Sequence, residues 1–163
     1  MLLSDTAYDA VWDRIHDRFH FRPSIDPAVV PFDFDCPYRV YDVRTTHEDT
    51  LDLIPAAFAR CTAAGERMYA LEWQSCAFLF DPRDPDTMAS RYVADDRYFG
   101  GGYNANFPDW YPDGDYYFFL AEDFRFGYLG HPWRQEVWIF GEELLKAFEE
   151  ITAQLGWTAK ADF

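Results

Sequence analysis

The run Tyr116–Leu120, YYFFL, constrains this chain more than any other stretch. In an extended strand, successive side chains point to opposite faces, so Tyr116, Phe118 and Leu120 face one way and Tyr117 and Phe119 the other. Both sets are apolar, which predicts a strand covered on both faces. Tyr111-Pro112-Asp113-Gly114 precedes it as a turn, with proline presetting φ and glycine where the turn ends, and Asp115 opens the strand. After Glu122-Asp123, the residues Phe124, Phe126 and Tyr128 alternate with Arg125 and Gly127. That pattern predicts a second strand with one face wet or tightly approached. His131-Pro132 breaks the ladder because proline lacks an N–H, and Glu136–Phe140 reads as a third strand.

The rest of the chain supplies what must cover this sheet. Ser4 or Asp5 caps a helix in which Tyr8, Val11, Trp12, Ile15 and Phe19 share one face and Asp9, Asp13, His16 and His20 another. The polar stripe has the spacing of metal ligands and equally that of a solvated face, and no metal is assigned to it. Pro23, Pro27, Pro31 and Pro37 mark a surface-hugging loop. A short strand is expected at 38–43, then a helix begun by the capping box Thr45-x-x-Glu48, kinked or restarted at Pro55 and ended at Gly65. Residues 67–80 read as one strand or two, divided near Gln74-Ser75, with Glu72 and Gln74 flanking each other on one face. From about 81 to 114 runs a long insertion rich in glycine and aromatics, including a short helix near Thr87–Ala94 and the hinge Gly100-Gly101-Gly102. A final helix spans about Glu142–Leu155, stopped by Gly156.

Length and composition agree with one domain, 1–163, of the α+β class. It would hold a mainly antiparallel sheet of about five strands, near 38–43, 67–80, 115–121, 124–130 and 135–140, packed by at least three helices. Aromatic residues make up 20% of the chain, which favours a ring-packed core. Cys36, Cys61 and Cys76 are odd in number and lack C-x-x-C spacing, so they read as core residues rather than as a disulfide or zinc framework. A net charge of −15 argues against unaided contact with nucleic acid or anionic lipid and leaves a basic protein as the expected partner. No apolar run approaches the ~18 residues of a membrane helix. With neither a basic nor an apolar leader pattern, a cytoplasmic location is expected.

Chemistry is sparsely marked. Gly100–Ala105 fits the letters of a dinucleotide fingerprint but lies in the wrong context, and P-loop, zinc-protease and serine-hydrolase signatures are absent. Asp109, Asp113 and Asp115 crowd the main turn without Ca²⁺-loop spacing. The sharpest candidate is His131 in Gly130-His131-Pro132-Trp133, an acid–base residue if it faces a cleft and a strand-bend hydrogen-bonder if it does not. Around it, Asp115, Glu72 and Gln74 complete a candidate catalytic group. Trp110, Tyr111, Asp113 and Trp133 are candidate binding residues, and no cofactor is expected.

Four segments, ALEWQ at 70–74, PDGDYYFFL at 112–120, DFRFGYLGHPW at 123–133 and IFGEELL at 139–145, together resemble the bacterial domain-of-unknown-function 2716 family. The resemblance implies a bacterial soluble domain and carries over no chemistry. The part matching least well is Asp81–Trp110. Two functions remain open: a noncatalytic, immunity- or antitoxin-like protein engaging a basic partner, and a small enzyme built around His131.

Overall fold

Strand β6 (Tyr117–Ala121) lies inside an antiparallel sheet, and every side chain from Phe118 to Ala121 is buried. The computed structural model describes residues 1–162, one fewer than the expected domain. Before β6 come α1 (Asp5–Phe19), β1 (Tyr38–Asp42), α2 (Leu53–Arg60), β2 (Met68–Glu72), β3 (Ala77–Phe80), β4 (Arg91–Ala94) and β5 (Gly102–Ala105). After it come β7 (Gly127–His131), β8 (Glu136–Phe140), α3 (Glu142–Glu149), α4 (Thr152–Leu155) and β9 (Thr158–Asp162). Seven strands pair in the order β3-β2-β6-β7-β8-β1-β9, all antiparallel, while β4 and β5 form a separate two-stranded sheet. The fold is α+β.

The two parities of YYFFL lead into two different cores. Phe119 packs with Ala70, Phe80, Tyr128, Ile139 and Phe58 on the side covered by α2 and α3. Phe118 and Leu120 pack with Leu71, Leu129, Trp138 and the rings of α1 on the other. The proline-marked segment does more than hug the surface: Phe21 and Phe32 are buried in this second core, within 5.5 Å of Phe118 between ring centroids. Helix α1 forms as its pattern predicts, with the Ser4 hydroxyl accepting from Ala7 N and Val11, Trp12, Ile15 and Phe19 buried. Gly127 is where strands crowd, since a Cβ there would stand 2.4 Å from a Leu120 methyl and 2.5 Å from the Phe140 ring.

Several expectations are corrected. Residues 67–80 do divide near Gln74-Ser75, into a hairpin of β2 and β3, but Gln74 stands at φ 62° in its turn, so Glu72 and Gln74 do not flank each other on a strand face. Phe124 occupies a turn at φ 60° and joins the α1 core, stacking on Phe19, while Phe126 and Tyr128 face the other core. The capping box does not form: Thr45 donates its hydroxyl to Gly156 O, and α2 starts later, at Leu53, which puts Pro55 in its first turn where a missing N–H costs little. Helix α2 ends at Arg60, before Gly65. Thr87–Ala94 holds the end of a short 3₁₀ turn and β4 instead of a helix. The final helix breaks into α3 and α4, and the chain then returns as β9 beside β1. Asp115 precedes β6 rather than opening it. Among the described residues, no helix is long and apolar enough to cross a membrane.

Because Phe119 is fully buried and ringed by Phe58, Phe80, Trp110 and Tyr128, Phe119→Ala should cost about 3 to 5 kcal/mol of unfolding free energy by urea titration. A loss under about 1 kcal/mol would mean that this side of the sheet is not a packed core.

Candidate functional site

His131 ends β7 opposite Glu136, and its side chain has no solvent exposure. Its Nδ1 accepts from the Arg134 backbone N–H at 3.4 Å, which leaves the proton of the neutral ring on Nε2, 3.4 Å from the Tyr116 hydroxyl. Tyr116 in turn donates to Ser24 O at 2.6 Å and accepts from Ser24 N at 2.8 Å. The imidazole therefore closes a chain of hydrogen bonds tying β7 to the proline-marked segment. Trp133 covers it from outside, its ring 6.2 Å from the imidazole and 5.3 Å from Tyr116, and is itself 36% exposed. Burial pulls the His131 pKa down to about 4, with Arg134 adding to the effect and Glu136 opposing it.

Glu136, which the sequence did not single out, is the buried charge of this region. It is 1% exposed; one carboxylate oxygen accepts from Arg134 Nε at 2.8 Å and Trp138 Nε1 at 3.0 Å, and the other from Lys160 Nζ at 2.6 Å. Burial pushes its pKa up, but these hydrogen bonds outweigh burial and hold it below the usual range. A carboxylate so surrounded is satisfied and structural.

The other candidates fall in two places. Glu72, at the end of β2 beside Tyr117, and Asp115 are half-buried, and burial raises both carboxyl pKa values; at Glu72 the charges of Asp115 and Asp113 add to it against a hydrogen bond with Ser75. Asp115 accepts from Tyr116 N at 2.7 Å. Tyr117 is raised too, by burial first and then by Glu72 and Asp113. Glu72, Asp113 and Asp115 thus sense one another, whereas Gln74 sits exposed in the hairpin turn beside Tyr8. Trp110 packs on Phe119 at 4.7 Å and its carbonyl accepts from Tyr128, so it belongs largely to the core. Tyr111 is half-buried and Asp113 exposed. The stripe of α1 holds no metal geometry: His16 Nδ1 lies 3.2 Å from Phe21 O, and among the described residues no group of three or more His, Cys, Asp or Glu could hold an ion.

These features define a ring-packed α+β domain with His131 locked in a buried hydrogen-bond chain. A family model described as "Protein of unknown function (DUF2716)" matches residues 2–145, and the chain belongs to that family. The "Uncharacterized protein YxiI" of Bacillus subtilis (strain 168) is 32% identical over 130 residues, covering 69% of this chain and 70% of that protein. No solved structure matches.

The His131 environment gives a signed pH dependence. Its folded pKa of about 4 lies below the ordinary 6.5, so between these values the unfolded chain binds the extra proton. The resulting stabilisation is complete above pH 6.5 and lost as pH falls toward 4. Raised carboxyls such as Glu72 and Asp115 act with the opposite sign, so the His131→Gln variant isolates the histidine. Between pH 7.5 and 4.5 the wild type should lose about 2 to 3 kcal/mol more stability than His131→Gln in urea titrations. Equal losses would mean that the imidazole is solvated in the folded protein.

Proposed function

We propose that this protein is a noncatalytic binding protein that engages a basic protein partner, in the manner of immunity or antitoxin-like proteins, and that it does so in the cytoplasm. The observation that carries this reading is the hairpin of β4 and β5. Among the described residues it forms no ladder with the main sheet; its connecting loop presents Phe99 fully exposed and Tyr98 50% exposed, and Tyr92 on β4 is 56% exposed. Val93, Tyr103 and Ala105 pack this hairpin onto the α2–α3 core, and exposed rings on its other side fit the anchors of an interface. The surroundings carry the matching charge: residues 81–115 hold eight aspartates and three arginines. Two of those arginines are engaged locally, Arg97 with Asp95 at 2.7 Å and Arg83 with the carbonyls of Ala59, Thr62 and Ala63. Of the residues expected to bind, Asp113 and Trp133 are the exposed ones. No observation favours the alternative, an enzyme centred on His131, because that ring has no open approach.

Immobilised wild-type protein and a Tyr98→Ala/Phe99→Ala variant test this reading in lysate of a bacterium carrying the gene. A basic protein should be retained by the wild type at 0.1 M salt, lost on the variant, and released at 1 M salt, where the Debye length falls from ~10 Å to ~3 Å. Retention of the same proteins by both forms, or retention indifferent to salt, contradicts the proposal.

A further inference from the structure

Against a net charge of −15, four of the chain's 14 lysines and arginines line one cavity of about 610 Å³. Arg18 comes from the end of α1, Arg39 from β1, Arg125 from the turn between β6 and β7, and Lys146 from α3. Segments distant in sequence thus gather cations where the average surface is acidic. Two are neutralised in place: Arg39 pairs with Glu149, and Arg125 with Glu66 at 2.5 Å and Asp123 at 3.2 Å. Arg18 is held differently. Its guanidinium donates to Phe124 O at 2.7 Å and lies against the rings of Phe19 and Phe140, with no carboxylate at ion-pair distance among the described residues. Lys146 is exposed and also has no ion pair among them.

The remaining charges facing the cavity are Glu142 and Glu149. Glu149 is occupied by Arg39, and Glu142 sits in the first turn of α3, where the helix dipole offsets part of its charge. Gly141, at φ 92°, starts that helix without a side-chain cap, pressed so closely on the Arg125–Phe126 turn that a Cβ would stand 2.4 Å from Phe126 Cβ. The wall between the cations is apolar, formed by Leu145 and Pro37. A guanidinium fork, an ammonium and an apolar wall together suit a ligand with a doubly charged oxyanion on a small apolar body.

We propose that this cavity binds a small phosphomonoester, its phosphate held by Arg18 and Lys146 and its organic part against Leu145 and Pro37. A phosphomonoester carries nearly two negative charges at neutral pH, which matches Arg18 and Lys146, the two cavity cations with no carboxylate partner among the described residues. The site lies on other elements than the β4–β5 hairpin and is independent of the partner proposed above.

Calorimetric titration of the full chain with phenyl phosphate, inorganic phosphate and benzoate, at matched ionic strength, tests the assignment. Phenyl phosphate should bind saturably; inorganic phosphate, lacking the apolar contact, and benzoate, with a single charge, should each bind roughly tenfold more weakly. Lys146→Gln, a change at an exposed side chain with no ion pair among the described residues, should weaken phenyl phosphate roughly fivefold to tenfold with the unfolding midpoint in urea unchanged, and Arg18→Gln should weaken it at least as much. Absence of saturable binding to the wild type overturns the proposal. So does an affinity unchanged in Lys146→Gln, or benzoate binding as tightly as phenyl phosphate.

Discussion

Burial of both faces of β6 is the constraint on which the rest of this structure depends. Phe118 and Phe119 are adjacent in sequence and point into separate cores, so neither core can form unless the other face is also covered. That requirement explains why helices α2 and α3 lie on one side while α1 and an irregular, proline-marked segment lie on the other. It also explains the glycine at 127: with Leu120 on one neighbouring strand and the Phe140 ring on the other, the sheet admits no side chain there. The neighbouring strands repeat the pattern, with Tyr128, Val137 and Ile139 facing the α2–α3 side and Leu129, Trp138 and Phe140 the α1 side.

Polar groups inside such a sheet survive only when fully partnered, and the end of the β7–β8 hairpin shows how. His131 remains neutral and is joined to Ser24 through the Tyr116 hydroxyl, while Glu136 remains charged because three donors surround it. The two residues face each other across the ladder yet resolve burial in opposite ways, one by losing its charge and one by collecting partners. Both tie distant segments to the sheet: Arg134 reaches the carbonyl of Pro27, and Lys160 brings in β9. These contacts serve the scaffold; the exposed rings of the β4–β5 hairpin and the cationic cavity lie apart from them.

Elements with strong local signals were legible in the sequence. The Ser4 cap and the apolar stripe of α1, the two-sided run of β6, and the turn at His131-Pro132 each specify their structure within a few residues. Elements that depend on distant partners were not. Strand β9, TAKAD, has no large apolar residue and exists by pairing with β1. The β2–β3 turn has no glycine; Gln74 adopts the left-handed conformation itself. Thr45 and Glu48 match a capping box, yet the Thr45 hydroxyl is taken by Gly156, more than a hundred residues away. At the site level, the sequence grouped Glu72 and Asp115 with Gln74 and His131, whereas Asp113 is the charge that Glu72 senses together with Asp115, and Gln74 sits in the hairpin turn. Glu136 carried no signal beyond being a charge beside an apolar run. The gathering of Arg18, Arg39, Arg125 and Lys146 is invisible at any short spacing, because four separate elements bring them together.

Native-state hydrogen exchange tests most directly the division between a two-sided scaffold and the separate β4–β5 hairpin. The account predicts that the amides of Phe118, Phe119 and Leu120 exchange only through global unfolding, with an opening free energy equal to that from urea titration. Amides of β4 and β5 should exchange through local opening at a free energy several kcal/mol lower. If β6 amides open locally while the rest of the sheet stays protected, or if the hairpin is as protected as β6, the account is contradicted.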